Sequence, residues 1–314
     1  MDVIALGELL IDFVQTGTTS QGAPLMAANP GGAPLNFLGA LAKYGCDCAM
    51  IGKVGHDAFG AQLVRTLKDA GIDFLGQMDE EAFTTLAFVS LDGSGERSFS
   101  FARKPGADTL LRPEEVPYDA IKSARVLHFG TLSLTDEPAK SATMGAVRFA
   151  REHGVTVSFD PNYRAMLWRG VDDAREAMCW GFAYADIVKA GTDELELAFD
   201  RPWREAVKAL IDSGVRLVFA TMGAQGCHFT TKRFSRFVGA FRVDAVDTTG
   251  AGDIFFGAAM SRLLGYDAPI TELSEEQVAS AARFGAAAAA LSTKKPGGLP
   301  SIACEKEVLA LAEA

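Results

Sequence analysis

Long apolar runs are missing from this sequence: the run Ala286–Leu291 falls far short of the roughly 20 residues a membrane helix needs. Basic clusters are missing too. With 30 Lys and Arg against 40 Asp and Glu, and a formal charge of −10, the chain lacks the dense positive charge that nucleic-acid backbones demand. Any anionic ligand must therefore be held by local geometry. Cysteine is scarce and odd in number. Cys46, Cys48, Cys179, Cys227 and Cys304 are scattered through segments that otherwise read as buried strand or helix; Cys46 and Cys48 alternate within a strand-like stretch on one sheet face, and no second Cys or His pair lies nearby to complete a zinc site. Reduced thiols in a cytosol are expected. The histidines, His56, His128, His153 and His228, are dispersed without metal spacing and are assigned no chemistry. No Pro/Ser/Gly-rich linker or internal repeat divides the chain, so residues 1–314 read as a single domain. The opening residues 1–7 are too acidic, and their apolar run too short, for a signal peptide. A soluble cytoplasmic protein without membrane or nucleic-acid partners is expected.

What is present is an ordered alternation. Val3–Leu6 reads as a buried strand, Ile11–Val14 as extended chain, Thr16–Gly22 as a turn or mobile loop, and Ala33–Tyr44 as a helix after Gly31-Gly32. Cys48–Val54 reads as a strand and Ala58–Ala70 as an amphipathic helix capped by Gly71. Thr84–Leu91 and Glu96–Ala102 are β-rich runs joined by Asp92-Gly93-Ser94-Gly95, a hairpin signal because these residues tolerate positive φ. From about Arg125 the pattern is strand then helix, repeatedly: Val126–Phe129, Glu137–His153, Val155–Phe159, Asp173–Ala183, Ile187–Lys189, Trp203–Ser213 and Leu217–Thr221. Strands this continuously apolar imply a mostly parallel sheet covered by helices on both faces. Ligands in such sheets sit beyond the carboxyl ends of the strands. The expectation is one large α/β domain with a small β-rich appendage drawn from the N-terminal extended segments and the Thr84–Ala102 hairpin.

The run Asp247-Thr248-Thr249-Gly250-Ala251-Gly252-Asp253 enters a helix expected over Asp253–Leu264. Small residues at this junction let backbone N–H groups face outward at a helix N-terminus, where unpaired donors and the dipole favour an anion. Asp253 beside them has two readings. It either complements the dipole, for about 0.3–1 kcal/mol, or takes the proton of an attacking hydroxyl, for about 10²–10⁴ in rate.

This run resembles the second signature of the ribokinase-like (PfkB) carbohydrate kinases. The first signature is recognisable in Gly31-Gly32-Ala33-Pro34-Leu35-Asn36 and continues through Gly52-Lys53-Val54-Gly55-His56-Asp57-Ala58-Phe59-Gly60. The resemblance implies a three-layer α/β/α Rossmann-like domain with a small β-sheet lid over the sugar, supplied by about residues 9–30 and 84–108. It also implies that Asp253 is the general base and that Gly250, Ala251 and Gly252 form an anion hole for the γ-phosphate of ATP. Asp12, Gly31, Gly32 and Asn36 match the positions that hold the sugar. As bare residues, Asp12 is either a ligand or an exposed strand position, because a charge among apolar neighbours is costly unless used. Asn36 alone reads equally as a helix-start residue satisfying local backbone donors.

Residues Glu96-Arg97-Ser98-Phe99-Ser100-Phe101-Ala102-Arg103 resemble the lid segment of fructokinases, and alternation puts Arg97, Phe99, Phe101 and Arg103 on one face. Either arginine is a sugar ligand or an ordinary exposed strand residue. Phe159-Asp160-Pro161-Asn162-Tyr163-Arg164 reads alone as an Asx-Pro turn. In the fructokinase form of the family it puts Asn162 and Arg164 near sugar or phosphates. For ATP, Thr221-Met222-Gly223-Ala224-Gln225-Gly226 resembles the nucleotide loop, Thr248 adjoins the anion hole, and Lys189 and Glu194 match positions that meet the phosphates and hydrated Mg²⁺. Asp247, Thr249, Ser292, Gly297 and Ser301 match a potassium site, whereas Ala286 stands where many relatives carry an adenine-binding Asn. The resemblance implies phosphorylation of D-fructose to fructose 6-phosphate. The alternatives are a kinase of 2-keto-3-deoxygluconate or another sugar or nucleoside, and a non-catalytic sugar-binding relative. A nicotinamide-dependent dehydrogenase is disfavoured, because Gly7-Glu8-Leu9 follows the first strand instead of a Gly-x-Gly-x-x-Gly turn. A homodimer through the apolar lid face is expected.

Overall fold

A computed structural model describes residues 1–91, 97–266 and 268–313. The strands are β1 (Val3–Leu6), β2 (Leu10–Thr18), β3 (Pro24–Gly31), β4 (Cys48–Ile51), β5 (Lys53–Gly55), β6 (Ile72–Phe74), β7 (Gln77–Asp79), β8 (Thr85–Leu91), β9 (Arg97–Ala102), β10 (Val126–Gly130), β11 (Thr156–Asp160), β12 (Ile187–Gly191), β13 (Leu217–Thr221), β14 (Gly226–Thr230) and β15 (Ser235–Gly239). Nine form the main sheet, in the order β15-β14-β13-β12-β11-β10-β1-β4-β6. Pairing is parallel from β6 through to β13, and β14 and β15 add an antiparallel edge. β1 is therefore flanked on both sides by strands the chain reaches later. Such a switch point leaves a crevice at the carboxyl edge.

The helices are α1 (Ala33–Lys43), α2 (Ala58–Asp69), α3 (Tyr118–Ser123), α4 (Ala139–Glu152), α5 (Val171–Tyr184), α6 (Thr192–Phe199), α7 (Trp203–Ser213), α8 (Ala251–Leu264), α9 (Glu275–Ser292) and α10 (Glu305–Glu313). Strand alternation decides which face each covers. Ile4 and Leu6 of β1 pack with residues of α3 to α7, whereas Val3 and Ala5 pack with α1, α2, α8 and α9. The result is three layers, α/β/α. Phe37 of α1 and Phe256 of α8 are both fully buried, with ring centroids 5.2 Å apart. Each contributes about 1.5–3 kcal/mol by burial, and together they fix the two helices whose N-termini meet at the site. No helix among the described residues is long and apolar enough to cross a membrane.

A separate four-stranded sheet, ordered β3-β2-β8-β9, stands beyond the carboxyl edge. β2 pairs antiparallel with β3 and parallel with β8, and β8 pairs antiparallel with β9. Asp12, Ala87 and Phe101 lie across one face, and Phe13, Phe88 and Ser100 across the other. Phe13 stacks on Phe88 at 5.2 Å and meets Phe59 of α2 edge-on, which docks the sheet against the large domain.

Several local expectations differ from the structure. The Thr16–Gly22 stretch carries the end of β2 and the turn into β3; β3 is an edge strand, where its Pro24 and Pro30 are tolerated. Cys48–Val54 is two strands, broken at Gly52, and Cys46 lies before the first of them. Cys179 and Cys304 are exposed, not buried, and all five thiols are free. The Asp92–Gly95 hairpin tip and Glu96 lie outside the described residues, as does the side chain of Arg97.

Candidate active site

The largest group of chemistry-bearing residues lines a cavity of about 400 Å³ between the carboxyl edge of the main sheet and the small sheet. Glu8 follows β1, Leu132 follows β10, and Asn162 and Arg164 follow β11. Gly32, Ala33 and Asn36 come from the start of α1, Thr248, Thr249, Gly250 and Asp253 from the entry to α8, and Leu10, Asp12 and Phe101 from the small sheet.

Gly250 caps α8 in the left-handed conformation, φ 73°, which only glycine adopts readily. The N–H groups of Gly250 and Gly252 find no partner among the described residues, while that of Ala251 reaches the Thr248 carbonyl at 3.3 Å. These are open donors at a helix N-terminus. Asp253 is buried, and its Oδ2 accepts the Asn36 side-chain N–H at 3.1 Å across 217 residues of sequence. Burial, reinforced by the nearby Asp160 carboxylate, pushes the Asp253 carboxyl up to about 6, against the pull of Lys189, Asn36 and Arg164. Asn36 is thus neither a helix cap nor free to face only a ligand: its amide nitrogen is spent on Asp253, while Oδ1 is buried without a partner.

Asp12 lies on the cavity face of β2, and burial, opposed by Arg164, raises its carboxyl to about 6. Gly31 packs so closely on this carboxylate that a Cβ would strike it. Gly32, at φ 111°, brings its Cα so near the chain after β1 that a Cβ would stand 2.5 Å from the Glu8 carbonyl. Asn162 takes a positive φ of 46°, its N–H bonded to Asp160 at 3.2 Å, and Arg164 reaches into the cavity while donating to the Tyr163 carbonyl at 3.0 Å.

Arg103 is the clear departure. β9 ends at Ala102, so the alternation that was to aim Arg103 inward stops one residue short. Its buried guanidinium instead binds Asp108 (Nε–Oδ2 2.8 Å, Nη2–Oδ2 2.7 Å), the Thr135 hydroxyl at 2.7 Å and the Leu132 carbonyl at 2.9 Å. It anchors the base of the small sheet and does not line the cavity. Two neighbours at the site were given no role of their own in the sequence. Asp160 receives the buried Lys189 ammonium at 2.9 Å, and Glu8 receives the Ala33 N–H at 2.9 Å. Glu8 carries the signal that drew attention to Asp12, a lone acid among apolar residues.

Burial alone would discharge Lys189, but the Asp160, Glu194 and Asp253 carboxylates outweigh it and keep the ammonium protonated. A Cβ on Gly252 would stand 3.0 Å from its Nζ, so this ammonium sits directly behind the open amides. Glu194 accepts the N–H groups of Tyr163 and Gly191, both at 2.7 Å. Burial, with Asp160 adding to it, raises its carboxyl. Thr221 and Gly223 line a neighbouring depression with Thr192, Asp193, Glu196 and Trp203, whereas Gly226 lies beneath the loop, its carbonyl accepting the Met222 N–H at 2.8 Å. Asp247 closes its own loop: Oδ1 accepts the Thr249 N–H at 2.9 Å and hydroxyl at 2.7 Å, and Oδ2 the Gly297 N–H at 2.9 Å. The Ser292 and Ser301 hydroxyls donate to the Ala289 and Gly298 carbonyls, at 2.8 and 2.7 Å. Ala286 is buried in α9 among apolar neighbours.

The model of the pfkB family carbohydrate kinases matches residues 1–303. Fructokinase-1 of Zea mays is 40% identical over 316 residues, covering 99% of this chain and 97% of that protein. A crystal structure of fructokinase with bound ATP from Xylella fastidiosa superposes with a TM-score of 0.91 at 32% identity, over 99% of this chain and 98% of that one. Fructokinase from Vibrio cholerae O395, in its fructose, ADP and calcium ion bound form, superposes with a TM-score of 0.88 at 29% identity, over 99% of each chain.

Proposed function

The chain belongs to the pfkB family of carbohydrate kinases, and from that premise we propose that it transfers the γ-phosphoryl group of ATP to D-fructose, giving fructose 6-phosphate. The observation that carries the mechanism is the junction at the start of α8. There a buried carboxylate raised to about 6 lines one cavity with Gly250, beside the open N–H groups of Gly250 and Gly252 at the helix start. In this reading the sugar C6 hydroxyl gives its proton to Asp253 as its oxygen bonds to the γ-phosphorus, and the bond to the β,γ-bridging oxygen breaks to release ADP. Asn36 holds the carboxylate in place, and the open amides with Lys189 behind them receive the phosphoryl charge. Asp12, Gly31, Gly32, Asn162 and Arg164 position the sugar. The adenosine end goes to the depression beside Thr221 and Gly223. The small sheet serves as a lid, keeping water from competing for the phosphoryl group.

Charge supports a neutral sugar. The described residues lining the cavity include the acids Glu8, Asp12 and Asp253 but the single base Arg164, a surplus that repels an acidic sugar such as 2-keto-3-deoxygluconate. A divalent cation has a different pair of acids, beside Lys189. Among the described residues no cluster of three His, Cys, Asp or Glu could hold a metal unaided. Mg²⁺ needs only one or two carboxylates besides waters and phosphates, and Glu194 with Asp160 offers that set. When bound, Mg²⁺ neutralises charge on the phosphates. We place a potassium ion at the Asp247 loop, with Thr249, Ser292, Gly297 and Ser301 around it, and a homodimer contact on the small sheet, whose edge strand exposes Leu25. The deciding experiment is ADP release measured across fructose, 2-keto-3-deoxygluconate and ribosyl nucleosides. Fructose is expected to turn over fastest, and negligible fructose turnover beside rapid turnover of another substrate overturns the assignment.

A further inference from the structure

We propose that Glu8 is a further sugar-binding residue, its carboxylate accepting a sugar hydroxyl on the cavity side while Oε1 holds the first turn of α1. The inference rests on the sugar-kinase reading above. Glu8 follows β1 directly, at the switch point of the sheet, and lines the cavity beside Leu10, Asp12, Phe101 and Leu132. It is 2% exposed, yet apart from the Ala33 amide and its own N–H the carboxylate has no hydrogen-bond donor among the described residues. Arg103, the cation nearby, spends its donors on Asp108, Thr135 and Leu132. A carboxylate has about four acceptor sites, and a buried one left short of donors is costly. Burial accordingly pushes its carboxyl up to about 7, a cost that a ligand hydroxyl would relieve.

The acceptor is also fixed in place before any ligand arrives. Gly32 presses on the Glu8 carbonyl, and a Cβ on Gly7 would stand 2.8 Å from Pro34, so the backbone at Glu8 is clamped from both sides. Little freedom is lost when a hydroxyl binds. The apolar Leu10, Phe101 and Leu132 beside it suit the C–H surfaces of a sugar, so the chemistry around Glu8 is that of a neutral polyhydroxylated ligand.

Glu8→Gln tests the inference. The amide retains an oxygen for the Ala33 N–H, preserving the helix anchor, and a neutral group suits a site that already disfavours the charge, so the variant should fold. Expected are a rise of about tenfold in the fructose KM and in the calorimetric sugar Kd without ATP, with kcat within threefold and the ATP KM unchanged. One monodeoxyfructose should lose about tenfold against the wild type and nothing further against E8Q, the non-additivity of a shared contact. A sugar KM and Kd in E8Q within twofold of wild type, or penalties fully additive for every deoxy sugar, overturn the inference. Failure of the fructose assignment looks different: the wild type would not turn over fructose, and the same comparison is made with the sugar it does phosphorylate.

Discussion

Asp253→Asn should move activity and stability in opposite directions, and both magnitudes follow from where the carboxylate sits. Loss of a general base costs about 10²–10⁴ in kcat, or roughly 3–5 kcal/mol of transition-state stabilisation. Sugar binding should survive, because Asn36 can still donate to an asparagine oxygen at this position. For stability the sign runs the other way. The folded-state carboxyl is raised from 3.8 to about 6, so its favourable contribution is complete only below the unfolded value and is lost as pH rises through about 6. At neutral pH the ionised group therefore destabilises the fold, by up to about 3 kcal/mol at 1.36 kcal/mol per unit. Asparagine removes that cost, and the melting temperature should rise by several degrees at pH 7.5 and converge on that of the wild type towards pH 4. The same value gives the wild-type kcat/KM for the sugar a fall of about tenfold from pH 7 to pH 5, absent from the residual activity of the variant. Steady-state ADP release and thermal melts across this pH range are the assays. A variant that retains kcat within tenfold of wild type, or melts lower at pH 7.5, refutes the reasoning.

Gly250→Ala forces a left-handed φ of 73° on alanine and sets a Cβ 2.8 Å from Asn36 Nδ2, so kcat should fall about 10–100-fold with the phosphate site distorted; kinetics within twofold of wild type would show that the cap is only structural. Arg103→Ala strands the buried Asp108 and should destabilise by about 3–5 kcal/mol in denaturant titration, while the sugar KM of the folded fraction stays within threefold; a selective rise in that KM would return Arg103 to the sugar. Removing divalent cations with a chelator should abolish ADP release, and Mg²⁺ should restore it; undiminished turnover in the chelator contradicts the part given to Glu194 and Asp160. Replacing potassium with choline should slow turnover several-fold, read in the same assay, and identical rates would remove the ion from the Asp247 loop.

What the sequence determined by itself is what depends on neighbours along the chain. The continuously apolar strands between Val126 and Thr221 gave the parallel sheet, because burial on both faces leaves no alternation. The open turn before α8 was legible because a few consecutive small residues leave backbone N–H groups facing outward at a helix N-terminus. The left-handed cap at Gly250 is seen only in the structure. Tertiary structure decided where side chains go once the strands end. Asn36 meets Asp253 only because α1 and α8 pack through Phe37 and Phe256. Arg103 turns away from the cavity because β9 stops at Ala102 and Asp108 waits beside it, and β3 exists as a strand because β2 offers it a partner. Glu8 looked like any acid in a strand-to-strand turn until the sheet buried it beside Asp12. Backbone conformation is a local free energy, whereas the fate of a charged side chain depends on which distant donors and apolar walls the fold brings to it.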